Sequence, residues 1–156
     1  RPNRYRDPAT NASFEEIMAE HYDIMAKHPN TTFISAHLSW LGGDLTKLGE
    51  MLDTYPNMVT EVAAVIYELG RQPQHARQFM IDYKDRLMFG KDSYNVEEFH
   101  TYFRTFETAD EYFPYYRKYH AQWRMYGMNL PDDVLRAVYY GTALRVIPGL
   151  DASLFE

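Results

Sequence analysis

Thr32-Phe33-Ile34-Ser35-Ala36-His37, Asn57-Met58-Val59-Thr60-Glu61-Val62 and Arg86-Leu87-Met88-Phe89-Gly90-Lys91-Asp92 are three short, largely apolar runs. Each lies between stretches of helical sequence, the pattern of successive βα units in a parallel α/β fold. Parallel strands in such folds deliver functional side chains at their C-terminal ends. His37, Glu61 and Asp92 would then crowd one rim, which predicts a metal-assisted active site built from a His and carboxylates.

The flanking sequence supports this rhythm. Ser13-Phe14-Glu15-Glu16 is a capping box, and Phe14, Ile17, Met18, Tyr22 and Met25 recur at helical spacing, predicting a helix from Ser13 to about Lys27. His28-Pro29-Asn30 stops it, and Thr31 to Ala36 reads as the first strand. Gly42-Gly43-Asp44 forms a turn and N-cap before a helix carrying Leu45, Leu48, Met51 and Leu52, which ends at Tyr55-Pro56-Asn57. After the second strand, Gly70 to Pro73 is a loop. Pro73 opens a helix with Ala76, Phe79, Met80 and Tyr83. The third strand spans Arg86 to Phe89. Val96 to Met125, rich in Tyr and Phe and broken by Pro114, predicts one or two helices with an aromatic packing face. Pro131-Asp132-Asp133 opens a last helix running through Leu144. Arg1 to Asn11 reads as a polar loop and Ile147 to Glu156 as a tail.

Composition narrows the function. The 156 residues include 46% hydrophobic and 24% charged residues, ordinary for a globular domain. A formal charge of −6 without any cluster of Lys and Arg argues against nucleic acid as a partner. No apolar stretch approaches the roughly 20 residues of a membrane span, and the N-terminus has no charged-then-apolar signal pattern, so the chain reads as soluble; the expected compartment is the cytoplasm, with the absence of Cys leaving the periplasm open. Zero cysteines leave His and carboxylates as the strong metal ligands. A (β/α)8 barrel needs roughly 250 residues, so a barrel reading makes this chain a part of one. The opening at Arg1-Pro2, without methionine, agrees with an excerpt.

Each candidate competes with a plainer reading. A His after a strand is commonly hydrogen-bonded structure, and Asp92 has the alternative of capping the helix that follows Ser93. Trp40 is either a wall of the substrate cleft or packing between helix and barrel. Glu61 either faces the site or pairs with Arg71 or Arg86. Lys91 and Arg71 are either attractors of a substrate carboxylate or, on the plainer reading, solvated surface, and His21, His28, His75, His100 and His120, on predicted helices or at their ends, read as surface or helix-end residues. Gly42-Gly43 reads as a plain turn.

Across nearly its whole length the chain resembles the C-terminal half of the amidohydrolase-related branch of the amidohydrolase superfamily, metal-dependent (β/α)8 TIM barrels. The matching stretches are Phe33-Ile34-Ser35-Ala36-His37-Leu38-Ser39-Trp40, Tyr55-Pro56-Asn57-Met58-Val59-Thr60-Glu61 and Tyr83-Lys84-Asp85-Arg86-Leu87-Met88-Phe89-Gly90-Lys91-Asp92. Thr108-Ala109-Asp110-Glu111-Tyr112-Phe113 and Leu130 to Tyr140 fit as well. The resemblance implies that the strands are the sixth to eighth of the barrel and that residues 1–156 form one partial hydrolase domain. It implies that Asp92 is a metal ligand and proton shuttle. It also implies that His37 contacts the metal-bound water or the substrate, and in some relatives the metal itself. The first-strand His-x-His pair and the fifth-strand His of that family are not present, so the chain alone is expected to lack a complete metal site and to be inactive.

The expected cofactor is a divalent metal, zinc first, with manganese and iron as alternatives. The expected reaction is attack of metal-activated water on a C–N or C–O bond of a small-molecule substrate. Non-oxidative decarboxylation on the same barrel and a non-catalytic small α/β binding module are the competing functions. Open sheet edges predict a homo-oligomer or association with the missing barrel half.

Overall fold

In the computed structural model, which describes residues 10–155, Ser13 starts the first helix with a reciprocal cap. Its hydroxyl accepts from the Glu16 N–H at 3.1 Å, and its own N–H donates to Glu16 Oε2 at 2.7 Å. Helix α1 (Phe14–Lys27) then buries Tyr22 and Met25. Most of the polar loop expected at the start, residues 1–9, lies outside the described residues.

Three parallel strands follow in the order β1-β2-β3: β1 (Phe33–Ser35), β2 (Met58–Glu61) and β3 (Leu87–Met88). They are shorter than the sequence runs because only these residues pair. Phe33 lies opposite Met58 and Ser35 opposite Thr60, while Thr60 and Glu61 lie opposite Leu87 and Met88. Strand alternation sends Phe33, Met58 and Leu87 to one face, where they join the main core. Ile34, on the other face, is 49% exposed. The architecture is mixed α/β, with a three-stranded parallel sheet compatible with part of a barrel.

Helices α2 (Leu45–Thr54), α3 (Ile66–Gly70) and α4 (Pro73–Asp82) connect these strands. Asp44 caps α2 by accepting from the Lys47 N–H at 3.0 Å, and Pro73 occupies the first turn of α4. Leu45, Leu48, Leu52, Ile66, Leu69 and Met80 are fully buried, giving the βα layers a continuous core. Helix α3 is an addition to the sequence reading; five residues are too few for a clear helical period.

Polar side chains sew together the N-terminal ends of the strands. Asn57 Nδ2 donates to the carbonyls of Met25, His28 and Thr31, fixing the end of α1 against the start of β2. Arg86 donates through Nε and Nη2 to Met58 O and through Nη2 to Tyr55 O. These bonds tie together the loops that lead into β1, β2 and β3, adding side-chain donors to carbonyls such as Met25 O, His28 O and Tyr55 O that also accept backbone N–H groups. One end of the sheet is therefore committed to stability.

The aromatic stretch meets the expectation in its first part only. Helix α5 (Val96–Glu107), capped by Asn95, carries an aromatic packing face, with Tyr102 and Phe106 buried and Phe103 stacked on Phe89. Residues 108–131 are irregular, with one antiparallel bridge between Phe113 and Met125, and their aromatic residues pack loops. Trp123 Nε1, for example, donates to Tyr67 O at 2.9 Å.

The final helical run comprises α6 (Asp132–Arg136), a wide π-type turn over Ala137–Gly141, and α7 (Thr142–Val146). The widening frees the Val138 carbonyl, which accepts from Phe89 N–H at 2.7 Å just past β3. The tail after Ile147 contains one short 3-10 turn, Ala152–Phe155. Among the described residues no helix is long and apolar enough to cross a membrane.

Candidate metal and acid-base site

The chain leaves β1 through an unusual turn. His37, Leu38, Ser39 and Trp40 have φ of 58°, 51°, 53° and 59°, four consecutive non-glycine residues in the left-handed region. For L-residues this conformation costs about 1–2 kcal/mol each, and such strain survives only where surroundings fix it. Leu38 and Ser39 are buried, the Ser39 N–H donates to Ala36 O at 3.0 Å, and the Leu41 N–H donates to Leu38 O at 2.8 Å. The turn reverses the chain immediately beyond the strand, holding His37 at the rim.

The end of β2 clamps this histidine. Glu61 Oε1 accepts from the His37 backbone N–H at 2.6 Å, and Oε2 accepts from the Ala63 N–H. Ala63 O in turn lies 2.9 Å from His37 Nδ1. A carbonyl only accepts, so Nδ1 carries the proton, and in the neutral ring the Nε2 lone pair points away from the clamp.

Glu61 thus faces the site and pairs with neither arginine proposed from sequence. Arg71 pairs with Glu68 at 2.7 Å, and Arg86 is committed to carbonyls. The strand-end position marks Glu61 for the rim, but its role as a clamp is not local, because it joins the nearby Ala63 N–H to the His37 N–H at the end of another strand.

Gly90 makes room for this carboxylate. A Cβ there would strike Glu61 Oε2 and lie 3.0 Å from its Cδ. Gly90→Ala is therefore expected to displace Glu61 and lower stability by about 1–3 kcal/mol, measured by denaturant unfolding. An unchanged midpoint would show that Glu61 moves aside without loss.

His37 Nε2 lies 3.8 Å from Asp92 Oδ1, although 55 positions separate the residues. His37 is 19% exposed and Asp92 60% exposed at their side chains. The separation exceeds a direct hydrogen bond. A lone pair and a carboxylate facing each other at this range require a proton, a water or a cation between them. Asp92 does not cap the following helix, since Asn95 performs that role by accepting from the Glu98 N–H at 3.2 Å.

Trp40 sets its ring edge-on to His37, with centroids 5.0 Å apart, and is 64% exposed. It borders the rim instead of filling the core. Lys91 overturns the surface reading: its side chain is only 6% exposed, forms an ion pair with the equally buried Glu98, and lies over the Tyr102 ring. Burial also pushes the Tyr102 phenol above its ordinary pKa.

One histidine also departs from the surface reading. His21 is partly buried with Nε2 3.0 Å from Ser35 Oγ, and desolvation holds its pKa below the usual value. His28, His75, His100 and His120 are exposed, and His120 also packs against Tyr67 and helps line a small cavity beside Asp92.

The donor chemistry fits part of a metal site. An outward imidazole nitrogen and a carboxylate are suitable ligands, and 3.8 Å is within the ~4.2 Å spanned by two ligand bonds to one small cation. Among the described residues no group of three or more His, Cys, Asp or Glu is placed to hold a metal ion.

A family model described as amidohydrolase matches residues 9–149. Neither the curated proteins nor the solved structures compared with the chain give a match. The family match covers most of the chain and includes β1 to β3 with the His37, Glu61 and Asp92 rim, so the chain belongs to the amidohydrolase family.

Proposed function

We propose that the chain supplies the His and Asp portion of a metal-assisted hydrolase acting on a C–N or C–O bond of a small substrate. The approach of His37 Nε2 and Asp92 Oδ1 to 3.8 Å, from the ends of different strands, carries this reading. In it β1 to β3 are the sixth to eighth strands of a barrel, and further ligands come from polypeptide outside the described residues. That polypeptide also covers the sheet face bearing Ile34.

His37 and Asp92 would hold a divalent cation, zinc first and manganese or iron next, which when bound supplies Lewis acidity. Asp92, the more exposed of the pair, accepts a proton from the attacking water at a carboxylate oxygen. His37, its Nδ1–H held by Ala63, presents Nε2 to the electrophile or the developing negative charge. Glu61 positions this imidazole through the His37 backbone. Trp40 borders the substrate beside the ring.

The direct test is elemental analysis of the full-length protein. His37→Ala is expected to lower bound metal relative to wild type after identical dialysis, with circular dichroism confirming the fold. Retention of the full metal complement together with full hydrolytic activity would remove His37 from the site.

A further inference from the structure

Between Glu111 and Asp132 the chain carries Arg117, Lys118 and Arg124 and no carboxylate, within a protein of formal charge −6. Two of these cations rest on aromatic faces. Arg117 lies over Tyr116 at 5.4 Å and Arg124 over Tyr112 at 5.3 Å. An aromatic face orients a guanidinium without cancelling its charge.

This irregular segment reaches the proposed reacting centre. A small cavity beside Asp92 and Ser93 is walled by Tyr115, Arg117 and His120. Tyr115 and Arg117 also line an adjoining open cleft of about 530 Å³, with Lys118 and Trp123 on its walls. Arg117 therefore stands where the cleft meets Asp92. Glu98 also borders the small cavity, but it is 3% exposed and its charge is matched by Lys91. Asp92 is the other carboxylate on the small cavity, whereas the adjoining cleft is lined by Arg117, Lys118 and Arg124 and by no carboxylate, so the positive charge of the cleft is unmatched by its own walls.

We propose that Arg117 is a specificity-determining residue that binds the anionic group of the substrate, a small organic anion seated between this segment and Asp92. The inference rests on the hydrolase reading for the identity of the neighbouring centre, and it adds the charge class of the molecule. A guanidinium pairs with a carboxylate through parallel N–H donors, while the flanking Tyr115 and Trp123 offer flat apolar surface to the remainder of the ligand.

Calorimetric titration of the full-length protein with benzoate, and with benzamide as its neutral counterpart, tests the assignment. Benzoate is expected to bind saturably and about tenfold more tightly than benzamide, with Arg117→Gln removing that preference. Arg117 is exposed, so the Gln variant is expected to keep the wild-type unfolding midpoint. Absence of saturable benzoate binding, equal affinity for the two probes, or an undiminished preference in Arg117→Gln would each overturn it. The same titration on His37→Ala separates the two readings. A benzoate preference that persists while bound metal is unchanged from wild type supports the anion subsite and rejects the ligand role of His37. Loss of metal from His37→Ala with no benzoate preference in wild type does the reverse.

Discussion

Asp92→Asn in the full-length enzyme is expected to lower turnover by about 10²–10⁴-fold. The amide conserves the shape of the side chain but removes its negative charge and its capacity to take a proton near neutral pH. Under the proposed function it also removes one of the two cation ligands, so bound metal is expected to fall in parallel. Asp92 is 60% exposed and makes no cap, so the substitution leaves the fold intact and the loss is chemical. Steady-state kinetics together with elemental analysis checks both parts. Turnover within twofold of wild type at an undiminished metal content would eliminate Asp92 as ligand and proton acceptor.

Lys91→Met carries the largest expected effect on stability. It leaves the Glu98 carboxylate, 3% exposed, without its ion-pair partner, and breaking one half of a buried pair costs about 3–5 kcal/mol. The companion Lys91→Met/Glu98→Leu variant removes both charges and is expected to recover most of that loss. Equilibrium denaturation of the three proteins gives the coupling directly. Additive losses in the double variant would show that packing of the lysine stem over Tyr102, and not charge compensation, dominates at this position.

The βα rhythm was legible because parallel strands read as apolar runs and their helices announce themselves through Ser13, Asp44 and Pro73, each a local signal. The positions of His37 and Asp92 followed from the same logic, since strand ends define a rim. What the sequence concealed depends on contacts that form only once the strands and the loops after them are in place. Glu61 binds two backbone N–H groups that exist as a clamp only after β1 and β2 align. Lys91 looks solvent-bound until Glu98, seven positions later, folds back over it.

The stretch after Glu107 misled for a different reason. Tyr and Phe pack well on helices and in loops alike, and here rings such as Tyr115 and Trp123 line an irregular loop instead. The π-type turn was equally invisible, because it answers a demand from Phe89, almost fifty residues upstream.

The reversal at His37–Trp40 has a thermodynamic corollary for whatever enters the rim. Torsional freedom that an ordinary flexible connector would surrender on ligation has already been surrendered during folding, with the Glu61 and Ala63 contacts holding the imidazole against relaxation. Incoming molecules meet a ring whose bearing is preset, and their binding free energy is not reduced by the entropy of arranging it.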